Sequence, residues 1–124
     1  MRWTGLAERH HDDVVILDLL GDVTPSESDE RLVEKIVQLL DRGSLKILLN
    51  LAEIPYVDSW GLAEVVKGFT TVQQRGGSLK LCTANRRIRK LLKITRLSEV
   101  IGSFDSEEEA VRSFRSVEPG VHKA

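Results

Sequence analysis

Asp58-Ser59-Trp60-Gly61-Leu62 sets an acid beside a hydroxyl directly ahead of an apolar, helix-spaced run. A serine in that setting has three chemistries open to it. As a cap, it or Asp58 would accept a hydrogen bond from the free N–H groups of the first helical turn, worth about 1 kcal/mol, and both residue types are favoured there. No acid or amide stands three residues after Ser59, where Leu62 sits, so a reciprocal capping box is absent. As a phosphoacceptor, Ser59 would lie against the partial positive charge of a helix N-terminus, which tolerates an added anion. Phosphate there brings about −1.5 to −2 charge at neutral pH, and beside Asp58 it makes an acidic knob suited to disrupting an interface. As a nucleophile the serine fares worst. A nucleophile elbow needs glycine two residues before and two after; Gly61 fits, but Val57 occupies the earlier position. The histidines are His10, His11 and His122, none near the serine in sequence, so a general base is scarce and no catalytic residue is assigned. Local chemistry by itself favours the cap.

Other reactive residue types carry less. His10-His11-Asp12-Asp13 offers metal-ligating side chains, but neighbours in extended chain point to opposite faces and do not converge on one ion. A solvated turn accounts for them, and no metal site is expected. Arg86, Arg87, Arg89, Lys90, Lys93 and Arg96 form a dense basic patch without interleaved aromatics, a poor footprint for nucleic acid. The ordinary reading is the charged outer face of an amphipathic helix; the patch also suits an acidic protein partner or a nucleotide phosphate. Gly76-Gly77 closes a helix rather than cradling a phosphate, and no cofactor is expected. Trp60, at the first turn of its helix, is either tucked inward or held out as a contact anchor. Leu62 already supplies an apolar face nearby, so partial exposure is expected.

The elements that must position these residues alternate along the chain. Val14–Leu20 is an almost continuous apolar run ended by Gly21, a strand, with a weaker one near 5–10. Leu32, Val33, Ile36, Val37, Leu39 and Leu40 fall on one helical stripe, opened by Pro25, Ser26 and acids and closed by Arg42-Gly43. Leu45–Leu51 reads as a buried strand. Leu62, Val65, Val66, Phe69 and Val72 define the helix after Ser59, which ends on Gly76-Gly77. In the next strand Leu79 and Leu81 face one way and Lys80 and Cys82 the other. A basic helix follows with Ile88, Leu91 and Leu92 inward, then a marginal strand at 99–104, then a helix opened by Asp105 or Ser106. Strands alternating with helices imply a mainly parallel sheet, and the first two strands are close enough to pair antiparallel. The expected class is α/β. Residues 1–116 are expected to form one domain and 117–124 a frayed tail.

Composition narrows the function. The 124 residues carry a formal net charge of −1, with 41% hydrophobic and 30% charged residues. That balance gives no global attraction to nucleic acid or an anionic membrane. No apolar run approaches a membrane span, and no secretory signal is seen. One cysteine, Cys82, excludes an intramolecular disulfide and suggests a cytoplasmic setting.

"VDSWGLAEVV", "QQRGGSLKLC", "RRIRKLLKITRLSEVI" and "FDSEEEAVRSF", in that order, resemble the STAS domain of bacterial anti-sigma factor antagonists, from about Val14 to Phe114. The family hallmark is Asp-Ser-Ser/Thr-Gly-Leu followed by a helix, a Gly-Gly turn and a strand. The resemblance implies a mixed, mostly parallel sheet of four to five strands flanked by four helices. It implies a protein that is not an enzyme but binds an anti-sigma factor that is also a serine kinase, and is reset by a phosphatase. By motif match the phosphoacceptor is Ser59 and its flanking acid Asp58, with Gly61 letting the backbone turn into the helix. The partner surface implied comprises Asp22, Thr24, Asp58, Ser59, Trp60, Gly61, Leu62, Arg86 and Arg87, on a monomer or weak dimer. Three positions depart from the pattern: Trp60 stands for Ser or Thr, Thr24 for a common aspartate, and Arg96 for a usual glycine. The alternative is a constitutive STAS interaction module of a signalling or lipid-transport complex, with Trp60 as anchor and Ser59 only a cap.

Overall fold

Strands that are apolar on both faces need cover on both, and the helices supply it here. The computed structural model describes residues 5–21 and 32–115. Within them run β1 (Gly5–His11), β2 (Val14–Leu20), α1 (Leu32–Asp41), β3 (Lys46–Asn50), α2 (Ser59–Gln74), β4 (Ser78–Cys82), α3 (Arg86–Ile94), a 3-10 turn (Leu97–Glu99), β5 (Ser103–Phe104) and α4 (Glu107–Arg115). The strands form one five-stranded sheet in the order β1-β2-β3-β4-β5. β1 pairs antiparallel with β2 through a tight turn, His11 opposite Val14, and every later pair is parallel. The expected mixed sheet with four helices is therefore present.

Alternation along the strands sorts the two faces. Val15, Leu17, Leu19, Ile47, Leu49, Leu79 and Leu81 point to the side covered by α1, α2 and α3, forming the larger core with Leu32, Ile36, Val65, Val72 and Ile88. Val14, Ile16, Leu48 and Cys82 point the other way, against Ala110, Val111 and Phe114 of α4. Both long crossovers end in the same device. After α1, Gly43 N–H donates to the Leu40 carbonyl and Ser44 N–H to Leu39; after α2, Gly76 donates to Gln73 and Gly77 to Val72. Gly43 and Gly76 take φ of 90° and 81°, a conformation glycine adopts without a Cβ penalty.

The polar belt around the sheet is ionic. Glu8 on β1 receives Lys35 Nζ at 2.8 Å from α1, with His10 and Arg42 also in contact. Lys35 foremost, then His10, lowers the Glu8 carboxyl to about 2. Arg9 clamps Asp18 at 2.6 Å and Glu107 at 2.7 Å, which ties the start of α4 across β1 and β2.

Several boundaries differ from the sequence expectation. β3 begins at Lys46, and Leu45 is 43% exposed because it still belongs to the turn, where its carbonyl takes the Ser78 N–H at 2.7 Å. β5 contracts to two residues, which pair with Leu81 and Cys82. Ser106, not Asp105, starts α4, its Oγ accepting from Glu109 N–H at 3.1 Å. Asp22, Thr24, Pro25, Ser26 and the tail 117–124 lie outside the described residues. No helix among the described residues is long and apolar enough to cross a membrane.

Candidate functional site

Parallel pairing sends the carboxyl ends of β2, β3 and β4 to one edge of the sheet, where α/β folds collect their working loops. The β3 loop is rooted by Asn50, whose Oδ1 accepts the Ala52 N–H at 2.9 Å and whose Nδ2 donates to Glu107 at 2.8 Å. Ile54 and Val57 then dip into the core and hold the loop down. Asp58, in extended backbone, is the N-cap of α2: its Oδ1 accepts from Gly61 N–H at 2.8 Å. That answers the choice between Asp58 and Ser59 as the cap. With the first turn satisfied by the acid, Ser59 is the first helical residue, and its side chain is exposed with no hydrogen bond among the described residues. The hydroxyl stands at the positive end of a 16-residue helix.

The β4 loop builds a second helix start beside it. Thr83 takes φ of 62°, a strained conformation for a β-branched residue. Asn85 caps α3 through Oδ1, which accepts Ile88 N–H at 2.9 Å, while its Nδ2 donates to the Pro55 carbonyl at 2.7 Å. One side chain thus joins α3 to the loop that carries Ser59. Arg87 lies over the Tyr56 ring, 5.2 Å from its centre, three residues before Ser59. Arg86 is exposed at the head of α3, while Arg89 and Arg96 are paired with Asp105 and Glu99. The basic run is therefore split: Arg87 joins the Ser59 loop and Arg89 turns towards α4.

From Ser59 a partly exposed stripe descends α2 at helical spacing through Leu62, Ala63, Val66 and Thr70, lining an open groove of about 740 Å³. Trp60 both packs against the main core and lines this groove, so the two alternatives for it are halves of one arrangement. Leu62 is likewise half-buried and Gly61 fully buried. Of the residues expected at the site, Asp58, Ser59, Trp60, Gly61 and Leu62 share the start of α2, and Arg87 abuts it through Tyr56. Asp22 and Thr24 lie outside the described residues. Cys82, at the end of β4, has its thiol pushed up by burial and is fully covered.

Two contributors escaped the sequence reading. Asn85 could have been found, because an asparagine opening a helix is a capping signal; its second bond, to the Pro55 carbonyl, is long-range and leaves no local trace. Glu64 lies on the apolar side of α2 and is only 9% exposed. Its signal was an acid one turn after Trp60 inside a hydrophobic stripe. Among the described residues no group of three or more metal-ligating side chains gathers at one point.

Comparison with known proteins fits this geometry. The STAS domain profile matches residues 6–110. An anti-sigma F factor antagonist of Paenibacillus polymyxa is 26% identical over 108 residues, covering 87% of this chain and 92% of its own length. The anti-sigma-B factor antagonist of Listeria monocytogenes is 32% identical over 79 residues, 60% of this chain and 69% of that one. In fold, the chain superposes on the Bacillus cell fate determinant SpoIIAA in its phosphorylated form with a TM-score of 0.66, at 20% identity, covering 90% of this chain and all of the other.

Proposed function

Because this chain belongs to the STAS domain family, we propose that it acts as an anti-sigma factor antagonist switched by phosphorylation of Ser59. The unmodified protein binds an anti-sigma factor that is also a serine kinase, through the start of α2 and the flanking Tyr56–Arg87 contact. Phosphate transfer from ATP to Ser59 Oγ ends that binding, and a phosphatase restores it. The chain is a kinase substrate and a binding switch, not a catalyst.

The observation that carries this reading is the division of labour at α2. Asp58 occupies the cap, which leaves Ser59 Oγ exposed at a helix N-terminus that favours an added anion. The same phosphate lies at the head of the apolar stripe along the groove, where a dianion opposes docking of an apolar partner surface. A cognate serine kinase with ATP should add one phosphate, located at Ser59 by intact-mass and fragment analysis, and none to Ser59→Ala. Ser59→Asp should weaken the complex by about tenfold or more, as burying an unpaired charge at an interface implies. Phosphate found on another residue, or none with the true partner, would overturn the proposal.

A second reading is favoured by Trp60, which lines the groove while anchored in the core. In it the groove docks a partner constitutively, and Ser59 is only the residue after the cap. A pull-down insensitive to Ser59→Asp but lost in Trp60→Ala would select that reading.

A further inference from the structure

Where Asn85 ties α3 to the loop before α2, the two elements line a second hollow, of about 260 Å³. Val57 and Ile88, both buried, and the half-buried Leu91 lie at its base. Tyr56 and Ile94 flank it and are 43% and 68% exposed, two of the four most open large apolar side chains among the described residues. Arg87 and Lys90, three residues apart on one side of α3, also line it. α3 carries five cations and no acid, and among the described residues only Arg89 of the five meets a carboxylate, that of Asp105. Acids are not scarce elsewhere, since the exposed Arg75 and Arg115 each pair with one. Like charges at the spacing of Arg87 and Lys90 repel, and apolar side chains held open mark a surface that gains by being covered. A ligand that brings acid and apolar groups together relieves both.

From this we infer that the hollow receives an acidic segment of the partner protein with an apolar side chain between its carboxylates, a refinement that rests on the partner-binding reading above. The apolar side chain enters between Tyr56 and Ile94, and the flanking carboxylates meet Arg87 and Lys90. All four of these residues are exposed, so every group the segment must reach is open to it. Arg87 lies over the Tyr56 ring, and a guanidinium so placed still offers its in-plane N–H groups to a carboxylate. Charge complementarity and size select this occupant. A basic segment would add to the repulsion, and a purely apolar one would leave both cations unpaired. The volume falls below the roughly 300–1,000 Å³ of small-molecule pockets, so the hollow suits side chains and not a nucleotide. A flat lipid surface would meet Ile94 but not the recessed Ile88 and Leu91. Tyr56 stands three residues before Ser59, so one partner covers the hollow and the start of α2 together.

The test uses the full chain and defined peptides: acetyl-Glu-Leu-Glu-Leu-Glu-amide, its Gln-Leu-Gln-Leu-Gln counterpart, and Glu-Ser-Glu-Ser-Glu, which keeps the charge and loses the apolar groups. Alternation sets leucines on one side of an extended chain and acids on the other. Titration at low salt is followed by NMR. The Glu-Leu peptide should shift the Tyr56 ring and amides 87–94 and bind about fivefold more tightly than the glutamine peptide, as two exposed ion pairs imply. That margin should vanish in about 0.5 M salt, which screens exposed charges. The serine peptide should leave these signals in place. Lys90→Gln should shrink the preference for acid without changing affinity for the glutamine peptide, and Ile94→Ser should weaken both leucine peptides alike. Equal affinity for the acidic and glutamine peptides, an unchanged preference in Lys90→Gln, or shifts centred away from α3 would overturn the inference. So would binding to phosphatidylglycerol vesicles that is lost in Ile94→Ser while the peptides fail to bind, which would give this face to a membrane. No kinase or ATP takes part, so acid selectivity in a chain whose Ser59 proves unphosphorylated supports the hollow and removes only the switch, and equal affinities in a chain phosphorylated at Ser59 do the reverse.

Discussion

α2 and α3 begin alike and carry opposite cargo. Each follows a parallel strand to the same edge of the sheet, each is capped by an acid or amide in extended backbone, and each cap accepts from the N–H three residues on, at 2.8 and 2.9 Å. After Asp58 come a serine, a tryptophan and a glycine; after Asn85 come two arginines. The positive end of α2 thus faces a small exposed hydroxyl, whereas that of α3 faces cations it repels. The difference teaches that one helix start is left clear of side-chain cations while the other presents positive charge beside it. The caps differ in reach too: Asn85 also grips the Pro55 carbonyl, so α3 holds the α2 loop in place.

That asymmetry predicts the largest effect on stability. Asn85→Ala removes a cap and a tether, and should cost about 2 kcal/mol, the sum of a cap and one further hydrogen bond. Asn85→Asp keeps the cap acceptor but has no N–H for Pro55, and should recover about half of the loss. Asp58→Ala should cost about 1 kcal/mol for its cap bond. Urea denaturation of the three variants ranks them. Equal losses for Asn85→Ala and Asn85→Asp would show that the tether contributes nothing.

The roots of the two loops differ in their response to acid. Asn50, below the α2 loop, is held by Glu107, whose carboxyl lies below the usual range chiefly because Arg9 bonds it and secondarily because Asn50 does. A carboxyl depressed in the folded state stabilises the fold above its unfolded pKa, and the contribution is lost as pH falls through the folded value. Hydrogen-exchange protection at Ala52 should therefore fall on acidification below about pH 4, the usual carboxylate range, while protection at Ile88, on the α3 cap, stays level. Parallel loss at both amides would put the sensitivity elsewhere, for instance at Glu8.

Much of this contrast was legible in the sequence, because it depends on local pattern. The 3.6-residue spacing of Leu62, Val65 and Val72, the Gly-Gly close at 76–77, and the split of Leu79 and Leu81 from Lys80 and Cys82 all act over a few residues, and all appear in the fold. Asp58 against Ser59 was left open because both side chains can cap, and only the backbone at the helix start decides between them. Tertiary geometry hid the remainder. The contact of Arg87 with Tyr56 spans 31 positions, Asn85 with Pro55 spans 30, and the burial of Glu64 depends on how α2 lies against its neighbours. A basic run read as one patch was divided by partners that no periodicity announces. Arg96, standing where the resemblance expects glycine, does take a left-handed φ of 65°, so the glycine preference there has a backbone cause.

Charge at the two helix starts gives the next effect. Arg86→Glu replaces a repelled cation with an acid at the N-terminus of α3 and should raise stability by about 0.5 kcal/mol. Ser59→Asp should do the same for α2. Arg87→Glu should gain less, because it also gives up the Tyr56 contact, worth roughly 0.5 kcal/mol at an exposed site. If Arg86 and Arg87 serve the partner, both charge reversals weaken the complex while Arg86→Glu strengthens the fold. Thermal melts paired with binding measurements separate the two effects, and a variant that loses stability and binding together would argue for a purely structural role.

A comparably small effect should come from Thr83, since the α3 loop, unlike the α2 loop, enters its helix through a strained residue. At φ 62° a β-branched side chain crowds its own backbone, whereas asparagine tolerates the left-handed region without the added chain entropy of glycine. Thr83→Asn should stabilise the protein by about 0.5 kcal/mol, a fraction of the roughly 1–2 kcal/mol that the left-handed region costs an L-residue, since asparagine relieves it only in part. The consequence for binding is the sharper readout. Thr83 fixes the direction in which β4 hands the chain to Asn85, and the Asn85 tether then sets the place of Pro55 and the loop leading to Ser59. A residue that relaxes the turn without shifting Asn85 leaves partner affinity unchanged and raises only the melting temperature. A gain in stability accompanied by weaker binding would mean that the strain at Thr83 holds the two helix starts in register, and that their pairing, rather than either alone, forms the recognition surface.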